Sequence, residues 1–352
     1  MDDLDFGFEP YYDYSGNYSN SNSTSTEEET YFKPFKTCFA EVPCVIHLVV
    51  NVVICLLGVC GNAVVIWIAG FKMKKTVNTT WYLSLAVSDF IFCACLPINI
   101  VYMATGEWIF GLFMCKFTSS VMFLNMFSSI FLLVIISVDR CVSVMFPVWA
   151  QNHRSVGKST FMVVMVWLFS AGISIPAMVF RDVQTHLGKT VCFNKYPDKE
   201  FHKTIAATRF IVGFVIPFLV IIFCYSVIIL RLRTNRMMSR SSKPLKVMTV
   251  LIVTFFICWL PYHVFVVLEL NHQNYNLKAI ETGLVIGTTV ATANSFMNPI
   301  LYVFMGNDFK QKFKSSMRSK IENAIREEGR TTSRYLSRSS SMEGSRRTST
   351  HI

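Results

Sequence analysis

Charge is scarce in this chain. Only 16% of its 352 residues are charged and 52% are hydrophobic, whereas a soluble domain carries about 25% charge. That shortage argues against a soluble nucleic-acid-binding protein, although the formal net charge is +11. No set of cysteines or histidines has metal-site spacing, and no nucleophile triad is visible, so no enzyme is expected. Paired ionisable residues and internal repeats are missing too, which disfavours a transporter; a single carboxylate, Asp89, lies deep in an apolar run. A basic leader is also lacking. Met1-Asp2-Asp3 begins an acidic stretch, so the first apolar run is read as the insertion signal.

What is present in abundance is length without charge. Seven apolar runs cover 45–69, 78–103, 112–145, 159–180, 204–233, 243–270 and 279–304. About 20 such residues cross the hydrocarbon core, and side-by-side crossings must be helices that satisfy their own backbone. The fold class expected is therefore an all-α membrane protein, a seven-transmembrane-helix bundle over 41–306. An acidic tail (1–40) precedes it, and a short amphipathic helix (307–320) and a Ser/Thr-rich tail (321–352) follow. In that helix Phe309 and Phe313 share a face at i,i+4, with lysines opposite. Lys72, Lys74, Lys75, Arg154, Lys158, Arg231, Arg233, Lys310 and Lys312 all fall in loops or ends on one side. The positive-inside rule makes that side cytoplasmic and the N-terminus extracellular.

The tails carry modification signals. Asn17-Tyr18-Ser19 and Asn22-Ser23-Thr24 are glycosylation acceptor triplets on the outer side. Tyr11, Tyr12, Tyr14 and Tyr18 stand among acidic residues, read either as sulfation sites or as part of a plain solvated acidic tail. Ser337, Ser339, Ser340 and Ser341 belong to a hydroxyl-rich cytoplasmic end suited to receptor kinases, where added charge switches partner binding.

Polar residues inside the spans need reasons, because lipid offers them no partners. Asp89 in the second span, Asn125 and Ser129 in the third, and Asn294, Ser295 and Asn298 in the seventh supply oxygens. Two readings stand side by side: a small hard cation such as sodium held there, or a hydrogen-bonded polar core around a protonated carboxyl. Asp139-Arg140 ends the third span at the cytoplasmic surface. An arginine there can pair with Asp139 in one state and with a partner or a tyrosine, such as Tyr225 or Tyr302, in another, or it can simply snorkel. Pro97, Pro176, Pro217, Pro261 and Pro299 interrupt five spans and permit kinks, with Trp259 beside the bend at Pro261. Cys115 and Cys192 both face the oxidising side, so their pairing is chemically favoured; whether Cys38 and Cys44 pair stays open.

These residues resemble a family. Gly61-Asn62, Leu85-Ala86-Val87-Ser88-Asp89, Asp139-Arg140-Cys141, Trp167, Cys258-Trp259-Leu260-Pro261 and Asn298-Pro299-Ile300-Leu301-Tyr302, with the Cys115/Cys192 pair, look like a class A (rhodopsin-like) G-protein-coupled receptor. Met122 stands where amine receptors place an aspartate, and no lysine in 279–304 could hold retinal. Phe71-Lys72-Met73-Lys74-Lys75, Pro147-Val148-Trp149-Ala150-Gln151-Asn152-His153-Arg154, Ser242-Lys243-Pro244 and Pro261-Tyr262-His263 are similar to the chemoattractant branch. Within it the chain is most similar to chemerin (chemokine-like) receptors, with formyl-peptide and complement anaphylatoxin receptors as relatives.

That resemblance implies a membrane receptor at the plasma membrane. Its implied partners are an extracellular peptide or protein ligand, a heterotrimeric G protein of the inhibitory class, arrestin and receptor kinases, with no nucleic acid and no cofactor beyond the sodium considered above. Arg181 at the end of span four and Arg209 at the start of span five suit a carboxylate, with Glu269 atop span six for a cationic or amide group. Phe123, Tyr102 and Trp108 are expected as apolar walls. A carboxylate lipid mediator would satisfy the same arginines, and a decoy that binds without coupling is the subtler rival.

Overall fold

A computed structural model describes residues 42–186, 188–234, 242–270, 275–305, 310–316 and 318. It is a bundle of seven membrane-crossing helices. Their order is α1 (Val42–Trp67, prolonged by a π turn over Ile68–Lys72), α2 (Val77–Thr105), α3 (Gly111–Met145), a short α4 (Pro147–His153) and α5 (Val156–Val179). A hairpin of β1 (Arg181–His186) and β2 (Lys189–Asn194) follows. One crossing is then shared by α6 (Lys199–Phe210), a π turn (Ile211–Val215) and α7 (Ile216–Thr234), and α8 (Ser242–Glu269) and α9 (Leu277–Met305) complete the bundle. Six of the seven crossings are apolar enough to be picked out by composition alone. α9 falls short because Thr288, Thr289, Thr292, Asn294, Ser295 and Asn298 dilute it, and most of these turn inward.

Local chemistry sets the helix ends. Thr76 and Thr79 form a reciprocal capping box at the start of α2: the Thr79 amide donates to Thr76 Oγ1 at 3.2 Å and the Thr76 amide to Thr79 Oγ1 at 2.7 Å. Asp198 caps α6 by accepting from the Phe201 amide at 2.7 Å. The fifth crossing therefore begins at Lys199, about a turn earlier than apolar periodicity alone indicates.

Every crossing exposes apolar side chains outward, Val49, Leu56, Leu168, Phe169, Leu219 and Ile257 among them, as a lipid-facing surface requires. Inside, Trp81, Leu85, Met126, Phe127, Ile130, Ile136, Phe255 and Trp259 form the largest core cluster. Two of the proline bends face a glycine on a neighbouring helix. A Cβ on Gly287 of α9 would come within 2.8 Å of the Tyr262 backbone nitrogen, next to Pro261, and one on Gly61 of α1 would come within 3.1 Å of Pro299. Backbones approach this closely only where no side chain intervenes. Beyond α9, residues 310–316 are helical and Phe313 packs on the bundle core, whereas Phe309 lies outside the described residues.

Candidate functional site

One mouth of the bundle is organised by the β hairpin, an element that the apolar pattern did not announce. Arg181 pairs with Asn194 and His186 with Lys189, and Gly188 takes the positive φ (80°) that the tight turn requires. Cys192 on β2 is disulfide-bonded to Cys115 in the first turns of α3, with Cα atoms 5.7 Å apart. Cys44 also takes part in a disulfide. Lys195 donates to Asp182 Oδ2 at 3.0 Å, and with the Val183 amide it holds the Asp182 carboxyl below the usual carboxylate range.

The expected ligand residues divide into two groups. Tyr102 and Trp108 are buried against the disulfide, edge to face with centroids 5.3 Å apart, in one cluster with Cys115 and Cys192. Trp108 is fixed further by its indole N–H to Gly111 O at 2.8 Å and its amide to Thr190 O at 2.7 Å. Phe123 instead belongs to the main core, and the Arg209 guanidinium lies 3.8 Å from its ring centroid, a cation–π contact. Arg181 opens β1 rather than closing a helix, and it donates to Cys192 O at 3.4 Å.

Deeper in the bundle, Asp89 is fully buried, and both of its oxygens are used. Asn125 donates to Oδ1 at 2.9 Å from α3, and Asn298 donates to Oδ2 at 2.7 Å from α9. Ser295 donates to Asn125 Oδ1 at 3.2 Å, and Asn62 of α1 donates to the Ser295 carbonyl at 2.9 Å. Ser88 and Ser128 close the cluster at 2.6 Å. Three helices thus meet on one carboxyl, and α1 joins them through the Ser295 carbonyl. Of the oxygens expected for a cation, Ser129 Oγ and Asn294 Oδ1 are buried without a hydrogen-bond partner. Asp89 and the hydroxyl and amide oxygens of the same network are of the hard type that a small cation takes.

Asp139 and Arg140 lie at the opposite end of α3 from Cys115. Arg140 lies 3.1 Å from Asp139 and also donates to Asn78 Oδ1. Tyr225 of α7 packs against the main core. Trp259 is buried, stacked on Phe255 and edge-on to Tyr262. Pro299 lies in α9 beside Asn298; Tyr302 lies in the last turns of that helix, its side chain outside the described residues, as are Asn17 and Asn22 altogether.

Sequence reasoning missed several participants. Asn78 and Arg154 both reach Asp139 or its partner arginine, yet they read as a helix-start residue and an orientation charge. His263 is 2% exposed, packed by Phe210, Phe214 and Trp259, with Nε2 lacking a hydrogen-bond partner. Its place directly after Pro261-Tyr262 was the available signal.

Comparison with known proteins places these sites in context. The model of the 7 transmembrane receptor (rhodopsin family) matches residues 61–302. Chemerin-like receptor 1 of Rattus norvegicus is 46% identical over 298 residues, covering 79% of this chain and 80% of the rat protein. The Homo sapiens counterpart is 44% identical over 297 residues, with 79% of each covered. The C3a anaphylatoxin chemotactic receptor of Oncorhynchus mykiss is 38% identical over 334 residues, with 90% of each covered.

Proposed function

The chain belongs to the rhodopsin family of seven-transmembrane receptors, and we propose that it is a chemoattractant receptor for a peptide or small protein whose end presents a carboxylate, as chemerin-like ligands would. It is a receptor, not an enzyme, and its relatives named for chemerin and C3a support the chemoattractant class. The observation that carries the finer reading is that both arginines are referred to α3: Arg209 lies on the ring of Phe123, and Arg181 stands on the hairpin that the Cys115–Cys192 bond ties to that helix. Two guanidiniums bind a carboxylate by charge-assisted bonds, and Glu269 meets a cationic or amide group beside it. Phe123 supplies the floor beneath Arg209, while Tyr102 and Trp108 wall the mouth from the disulfide side.

Binding acts by shifting a population. A ligand end seated on Arg209 bears on Phe123 and, through Tyr262, on Trp259 and the bend at Pro261. α8 then swings outward, Asn298 and Tyr302 repack toward Arg140, and Arg140 leaves Asp139 for Tyr225 or the incoming partner. The cytoplasmic cleft so opened admits a heterotrimeric G protein of the inhibitory class; kinases acting on the C-terminal hydroxyls recruit arrestin. The N-terminus is extracellular, and Asn17 and Asn22 carry glycans.

Sodium at the interior cluster belongs to the same reading. Asp89, Asn125, Ser129, Asn294 and Asn298 would hold it, and the ion would supply positive charge that keeps Asp89 ionised. Sodium is expected to weaken agonist binding to the wild type and to leave Asp89→Asn indifferent; equal sodium dependence in both would remove the ion from this site.

The reading is tested by inhibition of cyclic AMP in cells expressing the full chain. The challenges are chemerin, its C-terminal peptide, formyl peptides and anaphylatoxins, with and without pertussis toxin. A toxin-sensitive response to a chemerin peptide supports the assignment. A response only to another ligand moves the chain to that ligand class. Silence at confirmed surface expression moves the ligand outside these families or points to a decoy, and binding of labelled chemerin without a response marks the decoy.

A further inference from the structure

The switch carboxylate Asp139 has two arginines, and the better placed of them does not belong to the Asp-Arg pair. Arg154, just after α4, closes a fork on it: Nε donates to Oδ1 at 2.8 Å and Nη2 to Oδ2 at 2.9 Å. Arg140 approaches Oδ2 at 3.1 Å, a longer contact than either arm of that fork. Asn78 Oδ1, at the start of α2, accepts from both arginines, at 2.6 Å from Arg154. Two cations therefore share two acceptors where three segments meet. All three charged side chains are largely shielded, Arg140 to 14%, Asp139 to 15% and Arg154 to 28% exposure. A bidentate guanidinium–carboxylate pair is stronger and more directional than a single contact. The two guanidiniums also repel each other.

We infer that Arg154 is a positioning residue of the activation switch: by taking both oxygens of Asp139, it weakens the hold of that carboxylate on Arg140 and eases Arg140's release. The inference rests on the reading above in which Arg140 changes partners. Were Arg154 absent, both oxygens would be open to Arg140, and the same fork would form between neighbours in α3. The resting state would then be held more tightly.

The test uses the full-length receptor in membranes with purified inhibitory-class heterotrimer, measuring nucleotide exchange without agonist. Arg154→Ala is expected to lower that exchange at least threefold, and Arg154→Lys, which keeps the charge but loses the fork, to lower it less. Asp139→Asn in the Arg154→Ala background is expected to restore exchange to the level of Asp139→Asn alone, because a neutral amide cannot grip Arg140. A merely structural role for Arg154 would not be rescued in this way. Unchanged or raised exchange in Arg154→Ala, or a double variant that keeps the full deficit, overturns the inference. Should Arg154→Ala fail to reach the membrane, unchanged exchange in Arg154→Lys overturns it instead. Arg140→Ala serves as the companion measurement: if it leaves exchange at the wild-type level, the reading of Arg140 as the switch falls, whatever Arg154 does.

Discussion

Replacing Arg181 and Arg209 together by alanine is expected to remove the response to a carboxylate-ended peptide, at unchanged surface expression. Hydrogen bonds to charged groups contribute about 1.5–3 kcal/mol each. Losing two therefore costs about 3–6 kcal/mol, or about 100-fold to 10,000-fold in affinity at 1.4 kcal/mol per decade. The single variants are expected to differ. Arg209 carries the contact with Phe123 at 3.8 Å, so its loss also frees a ring of the main core. Arg181 stands on the hairpin and donates to the Cys192 carbonyl, so its loss is expected to act through the hairpin and the ligand. A peptide with an amidated C-terminus supplies the control. It is expected to bind the wild type weakly and to lose little more on the double variant, since the partner of the arginines is already gone. If the free-acid peptide keeps its potency on the double variant, the carboxylate pocket lies elsewhere.

How much of this was legible beforehand depended on whether a residue's role was written in a period or in a contact. The crossings were visible because lipid forces long uncharged runs, and each predicted span overlaps an observed helix; α6 starts earlier only because Asp198 caps it across a polar stretch. The polar interior was visible for the same reason, since Asp89, Asn125 and Asn298 stand out in apolar surroundings, and all three meet. The assignment of neighbours was less legible. Helical spacing placed Ser129 with Asn125, yet Ser128 is the hydroxyl that reaches Ser88, and Ser295 rather than Asn294 bonds Asn125. One residue along a helix turns a side chain by about 100°, which composition cannot resolve where every candidate is polar. The hairpin was hidden because six-residue strands in a polar loop carry no apolar alternation. Arg154 was hidden because a basic residue beside a span already had a sufficient reason to be there.

Loss of the Cys115–Cys192 bond is expected to be the most damaging single change at the hairpin end of the bundle. The bridge closes a loop of 77 residues, for which chain entropy alone gives about 4.5 kcal/mol. Its removal also unfastens what depends on it. Tyr102 and Trp108 lose the sulfur surface that they pack on, and the Trp108 amide loses a fixed partner in Thr190. Arg181 sits on the strand paired with β2 and donates to the carbonyl of Cys192 itself, so the ligand cation loses its anchor in the same step. Cys192→Ser is therefore expected to lower surface expression sharply. In the fraction solubilised from membranes, the unfolding midpoint should drop by on the order of 10 °C. The decisive readout is ligand potency per receptor at the surface. If the hairpin only stabilises, that potency should match the wild type once expression is corrected. If it also positions Arg181, potency should fall about as far as in Arg181→Ala, and adding Arg181→Ala to Cys192→Ser should change it little further. Additive losses would instead mean that the β1–β2 ladder alone, with its six paired positions, holds Arg181 in place, and that the disulfide serves folding only.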